Sequence, residues 1–240
     1  MAFAGGLPHP LLYADMLKSI GHWGASMEHA LGVESINHVL YMWLAMGILF
    51  TVGLIVRSRL QLVPGGMQNL FETIIGGLED FTVSNLGQEG RRFMPLLCTI
   101  FLFILTMNYI GLVPGCDAPT ANINTPVAMA VIVFLYYNFV GIQKWGAGYI
   151  KHFMGPVPAL APLMLVLEIV SHCARPLSLT LRLFGNIRGE EIVLILMFML
   201  APVLGSLPMY FLFILAKTIQ AFIFFMLTML YLQGSIEHAH

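Results

Sequence analysis

Charge is what this sequence has least of. Of its 240 residues, 10% are Asp, Glu, Lys or Arg, against about 25% in soluble domains. Eleven basic and twelve acidic residues leave a net charge of −1, so there is no basic field to attract nucleic acid. Cysteine is scarce as well. Cys98, Cys116 and Cys173 are scattered, odd in number and without CxxC or metal-ligand spacing, which argues against a disulfide framework or a zinc site. No GxxxxGK[ST] run occurs, so any nucleotide chemistry must sit on a partner; neither a cofactor nor a metal is expected. The first residues, MAFAGGLPHPLLY, have no basic n-region and no long apolar core, and are not read as a signal or transit peptide. No internal repeat or inverted half is visible, which counts against a secondary transporter.

Hydrocarbon is what the chain has in excess. With 58% hydrophobic residues, sixteen Met and seventeen Phe, it reads as an all-α polytopic membrane protein. Residues 1–37 form a mixed extracytoplasmic arm with room for a short amphipathic helix, and 38–240 a single transmembrane domain. The first span is Val39–Val56, about the length a crossing requires, closed by Arg57 and Arg59. After the Pro64-Gly65-Gly66 break, Leu70, Phe71, Ile74, Ile75, Leu78 and Phe81 recur at helical spacing, with Gln68, Asn69, Glu72, Glu79 and Asp80 on the other face. That pattern predicts an interfacial amphipathic helix over 67–83. Met94–Val113 is the second span and Pro126–Ile142 the third. The apolar elements from Pro158 to Leu200 and from Met209 to Gln233 are too long for perpendicular crossings, so both must tilt or bend, and Pro176 invites a bend in the first. Five membrane helices and one interfacial helix result. Arg57, Arg59, Arg91, Arg92, Lys144 and Lys151 fall on one side, which the positive-inside rule makes cytoplasmic. The N-terminal arm, the loop 114–124 and the turn 201–208 are then outside, and the C-terminus inside.

One stretch concentrates the polar groups. At about 100° per residue, Glu168, Ser171, Arg175, Ser178, Arg182 and Asn186 lie within roughly 40° of the Arg182 direction, and Gly189 continues the line. This is a polar ladder about 30 Å long at 1.5 Å per residue. Charges at membrane depth are costly and mark ion or substrate pathways. Arg182 cannot give up its proton; it is a fixed positive charge that would block direct proton leakage. Glu168 lies about four turns to its cytoplasmic side, Glu190 and Glu191 about two turns to the other. Carboxylates exchange protons, so the order carboxylate, fixed cation, carboxylates suggests two half-paths divided by a charge barrier. Arg175 and Arg188 also fit structural ion pairs, and His172, about 80° off the stripe, fits a hydrogen-bonded helix-end histidine. On the last helix, Phe213, Lys217, Gln220, Phe224 and Tyr231 share one side. Counted from a turn at 201–208, Glu190 and Lys217 lie about 22 and 18 Å along their helices, so Lys217 can pair with Glu190 or Glu191, and Asn186 can come level with Gln220.

The run SerLeuThrLeuArgLeuPheGlyAsn at 178–186, followed by Gly189-Glu190-Glu191, resembles the signature of subunit a of the F-type ATP synthase membrane sector. GlnAlaPheIlePhe at 220–224 and AsnTyrIleGlyLeuValPro at 108–114 resemble its last helix and second span. The resemblance implies a bacterial inner-membrane stator subunit with no catalytic activity of its own. Its two long tilted helices would form a hairpin against a rotating c-ring, joined through peripheral-stalk b subunits to the F1 catalytic sector. It implies that Arg182 faces the carboxylate of each passing c-subunit. Asn186, Glu191 and Gln220 match outer half-channel positions, to which Glu190 and Lys217 add. Glu168 and Ser171 match the inner path beside His172, with Arg175, Ser178 and Asn108 in support. Two departures stand out. The histidine common in bacterial relatives before the Gln220 position is absent from Phe213–Ala216, where Lys217 follows instead, and Glu190 adjoins Glu191. The alternatives are a self-contained transporter or a sodium-coupled form of the same subunit.

Overall fold

The computed structural model describes residues 37–62, 64–113, 115–146, 161–201 and 204–236. The arm of residues 1–36, Lys151 and His152 lie outside them. Apolar runs of 17 to 40 residues become helices, because a helix satisfies every backbone N–H and C=O within the segment. In chain order these are α1 (Asn37–Ser58), α2 (Gly66–Leu86), α3 (Met94–Ile110), α4 (Asn124–Trp145), α5 (Ala161–Leu200) and α6 (Ser206–Ile236). A 3-10 segment, Gly87–Phe93, links α2 to α3, and a 3-10 turn, Pro119–Ala121, precedes α4. No strand occurs among the described residues. Four helical stretches are long and apolar enough to cross a membrane: α1, the 45-residue stretch Gly66–Ile110 that contains α2 and α3, α4, and α6. The protein is an all-α polytopic membrane protein. α5 is not among the four, since its polar ladder interrupts the apolar run.

Several boundaries differ from the sequence reading for identifiable reasons. α3 stops at Ile110, three residues short of expectation, because Gly111 begins a turn whose N–H donates to the Tyr109 carbonyl. α2 runs to Leu86 and closes on Gly87 at φ 69°, whose N–H reaches the Val83 carbonyl; glycine tolerates that left-handed geometry. Pro176 does not break α5, which is helical on both sides of it. α5 and α6, at 40 and 31 residues, are about 60 and 46 Å long.

The core lies where α3, α4, α5 and α6 meet. Leu97, Ile104 and Met107 of α3, Val133 and Tyr137 of α4, Leu179, Leu183 and Ile187 of α5, and Phe225, Met229 and Leu232 of α6 are all buried. α3 packs on α6, α4 on both α5 and α6, and α5 on α6. α2 joins through Phe81, whose ring meets Phe222 at 5.5 Å and Phe225 at 6.3 Å, while Glu72 and Asp80 stay exposed. α1 buries little beyond Asn37, Tyr41 and Ala45; Trp43, Phe50 and Leu54 point outward, as on a lipid-facing helix.

The loop between α3 and α4 does not run over the surface. Ala118, Pro119 and Thr120 are buried, and the turn 119–121 packs against α1, α3, α4 and α5. Its close approach requires a glycine: a Cβ at Gly111 would stand 2.4 Å from Ala118 Cβ and 2.9 Å from its backbone. Gly111→Ala should therefore destabilise the chain by about 1–3 kcal/mol through overpacking, seen as a lowered thermal midpoint in detergent. An unchanged midpoint would mean that the loop is seated elsewhere.

Candidate functional site

α5 is clad on one side only. Its buried residues, His172, Leu179, Thr180, Leu183 and Ile187, centre roughly 100° around the helix from Arg182 at 100° per residue. The polar ladder consequently runs along the rim of the packed face. Ser171, Ser178, Arg182, Asn186 and Gly189 are exposed, while Glu168 and Arg175 are half-buried. The one-residue offset between the polar and apolar stripes produces this arrangement.

Arg182 makes no hydrogen bond and no ion pair among the described residues, and its guanidinium faces outward. Every other charge on α5 has a partner. On the expected inner side, Arg175 Nη2 lies 3.7 Å from Glu168 Oε1. Its guanidinium also sits 5.9 Å from the Tyr137 ring centroid and 5.4 Å from that of Tyr231, within the range of cation–π attraction. His172 Nε2 meets Asn138 Oδ1 at 3.0 Å, and its ring packs on Phe134 and Tyr137. It is hydrogen-bonded as the sequence reading expects, but it is the twelfth residue of α5 and not a helix-end histidine. Ser171 and Ser178 remain exposed and are not drawn into the cluster.

On the expected outer side, α6 turns its polar face inward. Lys217 and Gln220 are each 2% exposed, in line with buried Phe213 and Phe224. Asn186 Nδ2 donates to Gln220 Oε1 at 2.7 Å. Lys217 Nζ lies 3.4 Å from Glu190 Oε2, and Arg188 Nη1 donates to Glu191 Oε2 at 3.0 Å. The adjacent glutamates thus each have a cation, as two close carboxylates require. Asn108, fully buried, donates to the Lys217 carbonyl at 3.5 Å and accepts from Thr120 Oγ1 at 2.8 Å.

The structure therefore brings the expected residues into two groups, Glu168, His172 and Arg175 on one side and Asn186, Glu190, Glu191, Lys217, Gln220 and Asn108 on the other. Arg182 stands between them. Tyr137, Asn138 and Thr120 were missed by the sequence reading. Asn138 gave a signal, being an amide inside an otherwise apolar α4; Thr120 gave none, since its burial depends on how the loop folds. Arranged in this way, the carboxylates and amides can pass protons through hydrogen-bonded groups and water. The fixed cation can hold a passing anion and interrupt direct transfer.

A family model described as ATP synthase A chain matches residues 39–233. The chain is 64% identical over 239 residues to ATP synthase subunit a of Nitratidesulfovibrio vulgaris (strain DP4), covering 99% of this chain and 100% of that protein. It is 61% identical over 240 residues to ATP synthase subunit a of Oleidesulfovibrio alaskensis, covering 99% and 100%. With ATP synthase subunit a of Citrifermentans bemidjiense it shares 48% identity over 233 residues, covering 97% and 99%.

The Lys217–Glu190 pair yields a stability test. Lys217→Leu strands a buried carboxylate and should cost about 3–5 kcal/mol, most of it recovered in the Lys217→Leu/Glu190→Gln double variant. A double-variant cycle by denaturation in mixed micelles measures this; additive losses would show that the two side chains do not interact.

Proposed function

The chain belongs to the ATP synthase A chain family, and on that footing we propose that it is the stator subunit that carries protons to and from a rotating c-ring. The observation that carries this is Arg182, a permanent cation on the outward face of α5 with no partner among the described residues. A neighbouring subunit can supply the counter-charge, and a carboxylate on a passing ring fits. The subunit itself makes and breaks no covalent bond.

Protons enter from the outer water through Glu191, Glu190, Asn186 and Gln220, with Lys217 and Arg188 as counter-charges. They neutralise the ring carboxylate, which can then leave Arg182 and travel through lipid at far lower cost than a charged group. After nearly a full turn the carboxyl reaches the inner side and discharges toward Glu168, Ser171 and His172. The new carboxylate is attracted to Arg182. Because a guanidinium does not titrate in proteins, protons cannot hop from one half-path to the other without turning the ring. At about 60 and 46 Å, α5 and α6 exceed a bilayer core of about 30 Å; steep tilt lets the pair follow the curved wall of a ring. Peripheral-stalk b subunits hold the chain against the F1 sector, in a bacterial inner membrane with the N-terminus outside and the C-terminus cytoplasmic.

The deciding variant is Arg182→Ala in the assembled complex reconstituted into vesicles. ATP synthesis driven by a proton gradient should be lost, while passive proton leak through the membrane sector rises. ATP-driven pumping at the wild-type rate would overturn the role. Transport by the purified chain without a ring would favour a self-contained transporter.

A further inference from the structure

The 3-10 segment Gly87–Phe93 and the ends of α4 and α6 enclose a cavity of about 480 Å³. Phe93, Val140 and Ile236 form its apolar side, and Glu89, Arg92, Gln143 and Lys144 its polar side. Two contacts fix the walls. Buried Phe93 sets its ring edge-on to Tyr136 of α4 at 6.4 Å, and Trp145 Nε1 donates to the Ser235 carbonyl of α6 at 3.3 Å. The adjacent arginines have different partners. Arg91 pairs with Glu79 of α2 at 2.9 Å, whereas Arg92 Nη2 donates to Gln143 Oε1 at 3.2 Å beside the cavity. That bond uses one end of the guanidinium fork, and the remaining N–H groups suit the paired oxygens of a phosphate. Lys144 Nζ lies 3.0 Å from Glu89 Oε2. Both residues are exposed, and a surface pair of this kind holds weakly. From Gln143 an outward strip of α4 leads away. Phe139, Leu135 and Ile132 precede it on the same side at helical spacing, and all three are exposed.

We propose that this cavity binds the headgroup phosphate of an anionic phospholipid, with Arg92 and Lys144 as its cations and Phe139, Leu135 and Ile132 as the track of an acyl chain. Basic pockets at the cytoplasmic ends of membrane helices take such headgroups, and the positive-inside rule gives this end to the cytoplasm. Two cations against one carboxylate leave one positive charge in the cavity lining, which the single negative charge of a phosphodiester balances. Lys144 turns from Glu89 to the phosphate, and Arg92 keeps Gln143 while engaging the same group. A free phosphate offers the same oxygens but has nothing to place on the apolar side of the cavity or on the α4 strip. The strip runs along the length of a helix apolar enough to cross a membrane, where lipid is the neighbour. The bound headgroup braces the point at which the 3-10 segment, α4 and α6 meet. This site is separate from the proton path and does not depend on it.

The test uses the complete ATP synthase in vesicles of mixed phosphatidylcholine and phosphatidylglycerol. A trace of phosphatidylglycerol with a diazirine on its acyl chain is photolysed, and adducts are mapped by mass spectrometry. They should fall on α4 between Ile132 and Phe139. Arg92→Gln and Lys144→Gln should each lower this labelling about fivefold, the weight of one cation near an anionic headgroup. Glu89→Gln removes the carboxylate that competes for Lys144 and should raise it, a gain that misfolding cannot produce. Co-purification of the ring and stalk subunits checks assembly. Labelling unchanged in both cation variants, or equal labelling by the matching phosphatidylcholine probe, would overturn the site. Inorganic phosphate should not compete; if it displaces the probe, the cavity is a free-phosphate site and the lipid assignment fails. Cross-links from Phe139→Cys to a stalk subunit, in place of lipid adducts, would also overturn it. Arg182→Ala should label as the wild type does, so the outcome is read independently of the half-path scheme.

Discussion

A charge that cannot be neutralised, placed in the middle of a long apolar helix, is the constraint on which the rest of the structure depends. Arg182 is the twenty-second of the 40 residues of α5. The guanidinium of an arginine at membrane depth costs several kcal/mol unless something compensates it. Nothing among the described residues does so: the nearby cations Arg175, Arg188 and Lys217 each have a carboxylate, and Arg182 has none. The described helices are therefore electrostatically incomplete by themselves. A partner that brings a carboxylate to the exposed rim of α5 completes it, and a partner that moves past that rim turns an electrostatic requirement into a motor step.

The remaining architecture serves to hold that rim still. α4, α6 and the buried turn 119–121 cover the side of α5 next to Arg182, where Leu179, Leu183 and Ile187 lie. In lipid such helices gain little from the hydrophobic effect, so association relies on close packing and interhelical polar bonds. The bonds found here serve both ends: Asn186 to Gln220 and Glu190 to Lys217 on one side, His172 to Asn138 and the Arg175 contacts with Tyr137 and Tyr231 on the other. Among the groups that anchor α5, Glu190, Lys217 and His172 are titratable. Under the proposed function, structural and proton-carrying roles overlap at those positions, and Arg182 is the position where they separate.

Much of this was legible in the residues. Apolar runs marked α1, α3, α4 and α6, because length and hydropathy determine what can cross a bilayer, whereas the polar ladder of α5 keeps it from meeting that test. A count of residues from the 201–208 turn brought Glu190 level with Lys217 and Asn186 level with Gln220, since antiparallel helices joined by a short turn keep register. The faces of helices were readable from periodicity, but their neighbours were not. That α4 would supply Asn138 to His172, and that Tyr137 and Tyr231 would flank Arg175, depends on which helices lie side by side. The buried loop was least legible of all. Gly111, Ala118 and Thr120 look like ordinary turn residues, and only the close approach of Gly111 to Ala118 reveals how the loop is seated.

The central claim is that the Arg182 face of α5, and not its Leu183 face, meets a ring of partner subunits. Cysteine cross-linking between α5 and the ring carboxylate region in native membranes tests it most directly. Ser178→Cys and Asn186→Cys should form cross-links to the ring, while Leu179→Cys and Leu183→Cys should not. Cross-links from the Leu179 and Leu183 positions, with none from Ser178 or Asn186, would contradict the account.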